Sequence, residues 1–180
     1  MNSRQEFELA VPVSAVDHML GAAHAPVTVV EYGDFECPNC KQAAPAVKLL
    51  LSRFAERVRL VYRHFPLEEV HPHALHAALA AEAAGAQGSF WPMHDLLFQN
   101  QRHLKLPQLR AYAETLELDM ERFDSEMKDE LYLQRVREHV KGGTLSGVRA
   151  TPTFFINGQI QDVSFGLHEL VRGVEAALSK

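Results

Sequence analysis

The chain has 180 residues, enough for one domain with a real core, and its 47 % apolar and 23 % charged composition is that of an ordinary globular protein. Net charge is −5 with histidines neutral and there is no run of Lys or Arg, which argues against nucleic acid and acidic membranes as partners. No stretch reaches the roughly 18–20 uncharged apolar residues of a membrane span, so no membrane insertion is expected. The opening Met-Asn-Ser-Arg-Gln-Glu has no apolar signal core. A cytoplasmic location is therefore expected, or an extracytoplasmic one if a leader was removed.

Phe7–Val11 reads as a short strand, and residues 13–26, with Gly21 and Pro26, as a loop or irregular helical turn. Val27–Asp34 is an apolar, β-branched run, the pattern of a strand buried on both faces. Pro38 suits the first turn of a helix, where a missing N–H costs nothing. That helix is expected to reach about Glu56, with Val47, Leu50, Leu51 and Phe54 on one side and a kink at Pro45. Arg57–Phe65 alternates and reads as a second strand, and strand–helix–strand at this spacing implies a right-handed parallel unit.

A helical block follows over about 71–141. Gly85-Ala86-Gln87-Gly88 interrupts it, Ser89 and Asp119 are expected N-caps, and Pro107 opens a helix. Phe90, Trp91 and Phe98 are assigned to its core. Leu133, Val136 and Val140 mark a last helix, expected to stop at Gly142-Gly143. Thr153–Ile156 then meets Asn157-Gly158, a strong hairpin signal, with Gln159–Val163 returning and a final helix after Gly166. The order is β-α-β, a helical block, then β-β-α.

Cys37 and Cys40 are the chain's two cysteines, in Cys-Pro-Asn-Cys, with Pro38 and Asn39 forming the loop between them. Cys37 falls at a helix N-terminus, where unpaired N–H groups and the dipole stabilise an anion, so its pKa is expected below the free value of about 8.5. Cys40 lies one turn on, within reach of a disulfide. Cys37 can attack a substrate disulfide and Cys40 can resolve the mixed disulfide. A structural staple would close only one turn and constrain little. Zinc would need two more ligands, from His71, His73 or His76.

Val-Val-Glu-Tyr-Gly-Asp-Phe-Glu-Cys-Pro-Asn-Cys, Gly88-Ser89-Phe90-Trp91 and the stretch from Gly147 through Thr151-Pro152-Thr153-Phe154-Phe155-Ile156-Asn157-Gly158 closely resemble DsbA-like thioredoxin-fold proteins. The likeness runs from Val27 onward. It is nearest to the D-F-E-C-P-x-C branch, which includes a domain that some sodium/proton antiporters carry at their C-terminus. The resemblance implies an α/β thioredoxin-like fold, over 1–66 and 142–180, with an inserted helical domain over 67–141.

It also implies a thiol–disulfide oxidoreductase that acts on protein thiols and disulfides with a partner dithiol system, needing no cofactor or metal. By position, Cys37 resembles the nucleophile, Cys40 the resolving thiol and Pro152 a cis-proline facing the disulfide. Thr151 would offer its backbone to an extended peptide. Glu31 stands where such enzymes carry a buried acid; burial would raise its pKa and let it carry the proton of Cys40. Asn39 departs from the histidine of the strongly oxidising members, which leaves the direction of electron flow open.

Two alternatives accompany that reading: a glutathione-linked or peroxide-reducing thiol enzyme, and a redox-switched or zinc-bound interaction module. His71 and His73, flanking Pro72, are expected to be solvated caps rather than ligands. Glu36, beside Cys37, is expected to face solvent, because a nearby carboxylate opposes a thiolate.

Overall fold

The computed structural model describes residues 7–180; the polar start over 1–6 lies outside them. Among the described residues, five strands form one sheet in the order β1-β3-β2-β4-β5, accompanied by seven helices. The strands are β1 (His18–Gly21), β2 (Val27–Gly33), β3 (Val58–His64), β4 (Thr153–Ile156) and β5 (Gln159–Gln161). The helices are α1 (Pro38–Arg53), α2 (Ala74–Gly85), α3 (Phe90–Gln99), α4 (Leu106–Thr115), α5 (Met120–Lys128), α6 (Leu133–Leu145) and α7 (His168–Leu178). From β2 onward the elements follow the expected order, a mixed α/β fold with a helical block between β3 and β4.

The chain divides into two compact units. One holds residues 7–33, Ala43–Arg63 and Lys141–Lys180; the other holds Asp34–Gln42 and His64–Val140. In the first, β2 is buried along nearly its whole length, as its apolar run requires. It pairs antiparallel with β4, Val30 opposite Phe155 and Glu31 opposite Phe154. Asn157 and Gly158 both take positive φ (46° and 84°), the two-residue turn that lets β5 return antiparallel on β4. Helix α7 buries Leu170 and Val174, one turn apart on its apolar face.

Arg63, at the end of β3, is 3 % exposed and forks onto Asp17: Nε donates to Oδ1 at 2.9 Å and Nη2 to Oδ2 at 3.0 Å. Its Nη1 donates to the Val11 carbonyl and the Tyr32 hydroxyl. Burial by itself lowers the guanidinium pKa, but the hydrogen bonds to Asp17 and Tyr32 outweigh it and leave Arg63 raised. This pair fixes the segment before β1 to the sheet.

Four local expectations need correction. Residues 13–26 contain a strand, β1, paired antiparallel with β3 from His18↔Tyr62 to Gly21↔Arg59. Phe7–Val11 makes only an isolated bridge, Glu8 to Gln159. Helix α6 runs through Gly142-Gly143 to Leu145; a Cβ on Gly142 would stand 3.0 Å from Val11 Cγ2, so that glycine serves a close approach and not a helix stop. The stop comes at Gly147, with φ of 83°, where Val148 N–H returns to the Gly143 carbonyl. Ser89 starts α3 without a side-chain cap bond, whereas the Asp119 side chain accepts from Arg122 N–H as expected.

The second unit has its own apolar centre. Ala78, Leu79 and Val136 are buried together, with Leu75, Met127, Tyr132 and Leu133 against them. The alanine-rich α2 is buried on all sides, which is why small residues fill it.

Candidate active site

Gly33 ends β2, and the chain turns through Asp34-Phe35-Glu36 into α1. The Asp34 carboxylate organises that turn. Its Oδ1 accepts from Glu36 N–H at 2.7 Å, closing a turn of the kind aspartate favours. Its Oδ2 accepts from Leu67 N–H at 2.9 Å and pairs with His71 Nδ1 at 2.7 Å. The Asp34 backbone carbonyl accepts from Cys37 N–H, and the Cys37 carbonyl accepts from Lys41 N–H, opening the helix. Cys37 thus stands at the head of α1, with 5 % of its surface exposed. Cys40, inside the first turn, has none.

Phe35 is buried against His94 (5.7 Å, edge-on), Phe98 (5.0 Å) and His64 (6.0 Å). Behind it, His64 Nε2 lies 2.8 Å from Glu82 Oε1, and Arg135 Nε lies 3.0 Å from the other oxygen of Glu82. His64 also stacks on His139 at 5.4 Å. A side chain from the segment after α3 closes the turn from outside. Gln101 Nε2 donates to the Phe35 carbonyl at 2.9 Å and to the Cys37 carbonyl at 2.8 Å.

Two sequence expectations change here. His71 is only 19 % exposed and is committed to Asp34, not a solvated cap. Glu36 does not face open solvent; its Oε2 accepts from His73 N–H at 2.7 Å, at the start of α2. The other predicted site residues fall as follows. Pro38 and Asn39 open α1. Glu31 is 2 % exposed in the middle of β2. Thr151 is 7 % exposed, and the Thr151–Pro152 peptide is cis. Asp34 and Gln101 join the site only in the folded structure. The aspartate has a readable signal, an Asp directly after an apolar β-branched run, where its side chain can close a turn onto the backbone. Gln101 has none, being 64 residues from the carbonyl it bonds.

A dithiol at the head of the helix that follows a central strand, with a cis-proline ahead of a later strand and helices inserted between, defines a thioredoxin-type redox protein architecture. The chain matches the family model described as Thioredoxin over residues 14–176, and it belongs to that family. Its fold is the DsbA-like form with an inserted helical region.

Over 173 residues the chain is 50 % identical to the Na(+)/H(+) antiporter NhaA 1 of Salinispora arenicola, covering 96 % of this chain and 26 % of that protein. The chain therefore spans about a quarter of the length of the antiporters it matches. Oxidised BdbD from Bacillus subtilis superposes with a TM-score of 0.83 at 24 % identity, over 91 % of this chain and 94 % of that one. A thioredoxin-like oxidoreductase from Silicibacter pomeroyi superposes with a TM-score of 0.76 at 27 % identity, over 91 % and 93 %.

Proposed function

We propose that the chain is a thiol–disulfide oxidoreductase that exchanges disulfides with protein substrates through Cys37 and Cys40. The observation that carries this reading is the unequal placement of the two cysteines. Cys37 keeps some surface at a helix head, where a thiolate is stabilised, while Cys40 is fully enclosed one turn on. That asymmetry suits a nucleophile and a resolving thiol. The likeness to a thioredoxin-like oxidoreductase supports it.

The exchange balances without a cofactor. The Cys37 thiolate attacks one sulfur of a substrate disulfide, and the other leaves as a thiolate that takes up a proton. Cys40, once deprotonated, attacks Cys37 of the mixed disulfide and releases the second substrate thiol. The substrate is reduced and the pair oxidised; the reverse sequence delivers a disulfide. In this reading Pro38 and Asn39 set the geometry of the loop, Thr151 and Pro152 hold an extended substrate strand, and Glu31 carries the Cys40 proton. Residues 67–141 form the inserted helical domain, and a partner dithiol system resets the pair.

The test is Cys40→Ser. It is expected to retain the first attack and to accumulate one mixed disulfide per chain, seen by intact mass on non-reducing samples, with turnover lost. A glutathione-linked monothiol enzyme would keep its turnover, and that result would replace the dithiol reading. Glu31→Gln is expected to slow resolution by Cys40 about 10²-fold, the lower range for loss of one acid–base group, while leaving attack by Cys37 nearly unchanged. Stopped-flow traces with equal slowing of both steps would remove Glu31 from the mechanism.

A further inference from the structure

Beside the Cys37 turn lies an open groove of about 800 Å³, lined by Glu36, Pro38 and Lys41 from the turn and α1, and by Gln101, Arg102 and Lys105. It lies beside the reactive cysteine, lined by that residue's neighbours. Glu36 and Pro38 are the covalent neighbours of Cys37, and Gln101 bonds its carbonyl. Three cations line the groove, against one carboxylate. That carboxylate, on Glu36, is already engaged by His73 N–H. Lys41, Arg102 and Lys105 are exposed, and none forms an ion pair with a described residue. Elsewhere the exposed Arg53, Arg110, Arg122, Arg137 and Arg172 are each paired with a carboxylate, while Arg57 and Arg149 stand singly; the groove gathers three such cations in one place.

A concentration of positive charge beside the nucleophile, in a chain of net charge −5, makes a local field that attracts acidic groups. We infer that this groove is a substrate-specificity site: it takes the acidic residues of a protein segment flanking the reacting cysteine, with Lys41, Arg102 and Lys105 as the specificity determinants. The inference rests on the thiol-exchange reading above and names the substrate class for the same site. The concave shape keeps the charges close to the docked chain, where they are screened less than on an open surface. Leu104, 2 % exposed, and the Gln101 bonds hold the Arg102–Lys105 segment in place, so the charges are presented by a fixed wall.

The test uses three fluorescent peptides with one central residue and acidic, neutral or basic flanks. With serine at the centre, anisotropy reads docking alone. With the cysteine in a mixed disulfide, stopped-flow reads exchange. At about 20 mM ionic strength the acidic peptide is expected to dock and react about tenfold better than the basic one, and the ratio is expected to shrink at about 500 mM salt. In Arg102→Glu/Lys105→Glu the acidic-to-basic ratio is expected to reach one or invert; using the ratio cancels any general effect on Cys37.

A ratio near one in the unsubstituted protein, or a ratio that the double variant leaves intact, overturns the inference. Charge-selective docking of the serine peptides with no exchange of the cysteine peptides would overturn the thiol-exchange reading and leave the groove standing. Exchange without charge selectivity would do the reverse.

Discussion

Cys37→Ser is expected to abolish disulfide exchange, with a rate loss of at least about 10³-fold, the scale for removing an attacking nucleophile. A serine hydroxyl is not ionised at neutral pH and does not attack disulfide sulfur. Cys40 cannot take over, because it is fully enclosed. The fold should be indifferent to the change. The turn is held through backbone groups, Cys37 N–H to the Asp34 carbonyl and Lys41 N–H to the Cys37 carbonyl, and serine keeps both. Turnover of a protein disulfide, measured beside thermal unfolding, checks both halves. Activity above about a tenth of the starting rate, with an unchanged fold, would remove Cys37 as the nucleophile.

The second large effect lies in the sheet unit. Asp17→Ala is expected to cost about 3–5 kcal/mol, because it strips the carboxylate from a guanidinium that stays buried. Arg63 would keep the Val11 and Pro12 carbonyls and the Tyr32 hydroxyl, but no other described carboxylate would balance its charge. Replacing both partners tests the cause. Asp17→Leu/Arg63→Met is expected to fall within about 1 kcal/mol of the starting protein, since apolar side chains of similar size offset a buried ion pair. Denaturant unfolding of the single and double variants reads this. A double variant as unstable as Asp17→Ala would show that the orphaned charge does not carry the loss.

The long, strongly patterned elements were legible because their residues decide them locally. Val27–Gly33 is apolar on both faces, α1 opens on Pro38, and Asn157-Gly158 turns the last hairpin. What escaped depends on partners distant in sequence. The four residues of β1 have no alternation to read, and β3 alone makes them a strand. Gly142 looks like a helix stop until Val11 is seen against it. The cis peptide at Thr151–Pro152 was expected only through the family resemblance, since X–Pro bonds are cis in about 5 % of cases.

The candidate site divides the same way. Cys37 and Cys40 are plain from spacing. The partners of the turn that carries them are not: His71 reaches Asp34 across 37 positions, His73 reaches Glu36 across 37, and Gln101 reaches the Cys37 carbonyl across 64. Local charge suggested a solvated Glu36, and the approach of α2 overrode it. The groove cations had no sequence signature, because Lys41 and the Arg102–Lys105 segment meet only after the chain folds.

The most direct test is the redox titration of the Cys37/Cys40 pair in glutathione buffers of graded potential, read by alkylation and intact mass. A single two-electron transition is predicted, with a midpoint between about −270 mV, where thioredoxin-type reductants lie, and about −120 mV, where strong oxidants lie. A midpoint near the lower end would make the chain a reductant fed by a partner dithiol, and one near the upper end a disulfide donor. Two thiols that stay reduced across that whole range, or a lone glutathione adduct on Cys37 with Cys40 still reduced, would contradict the dithiol mechanism.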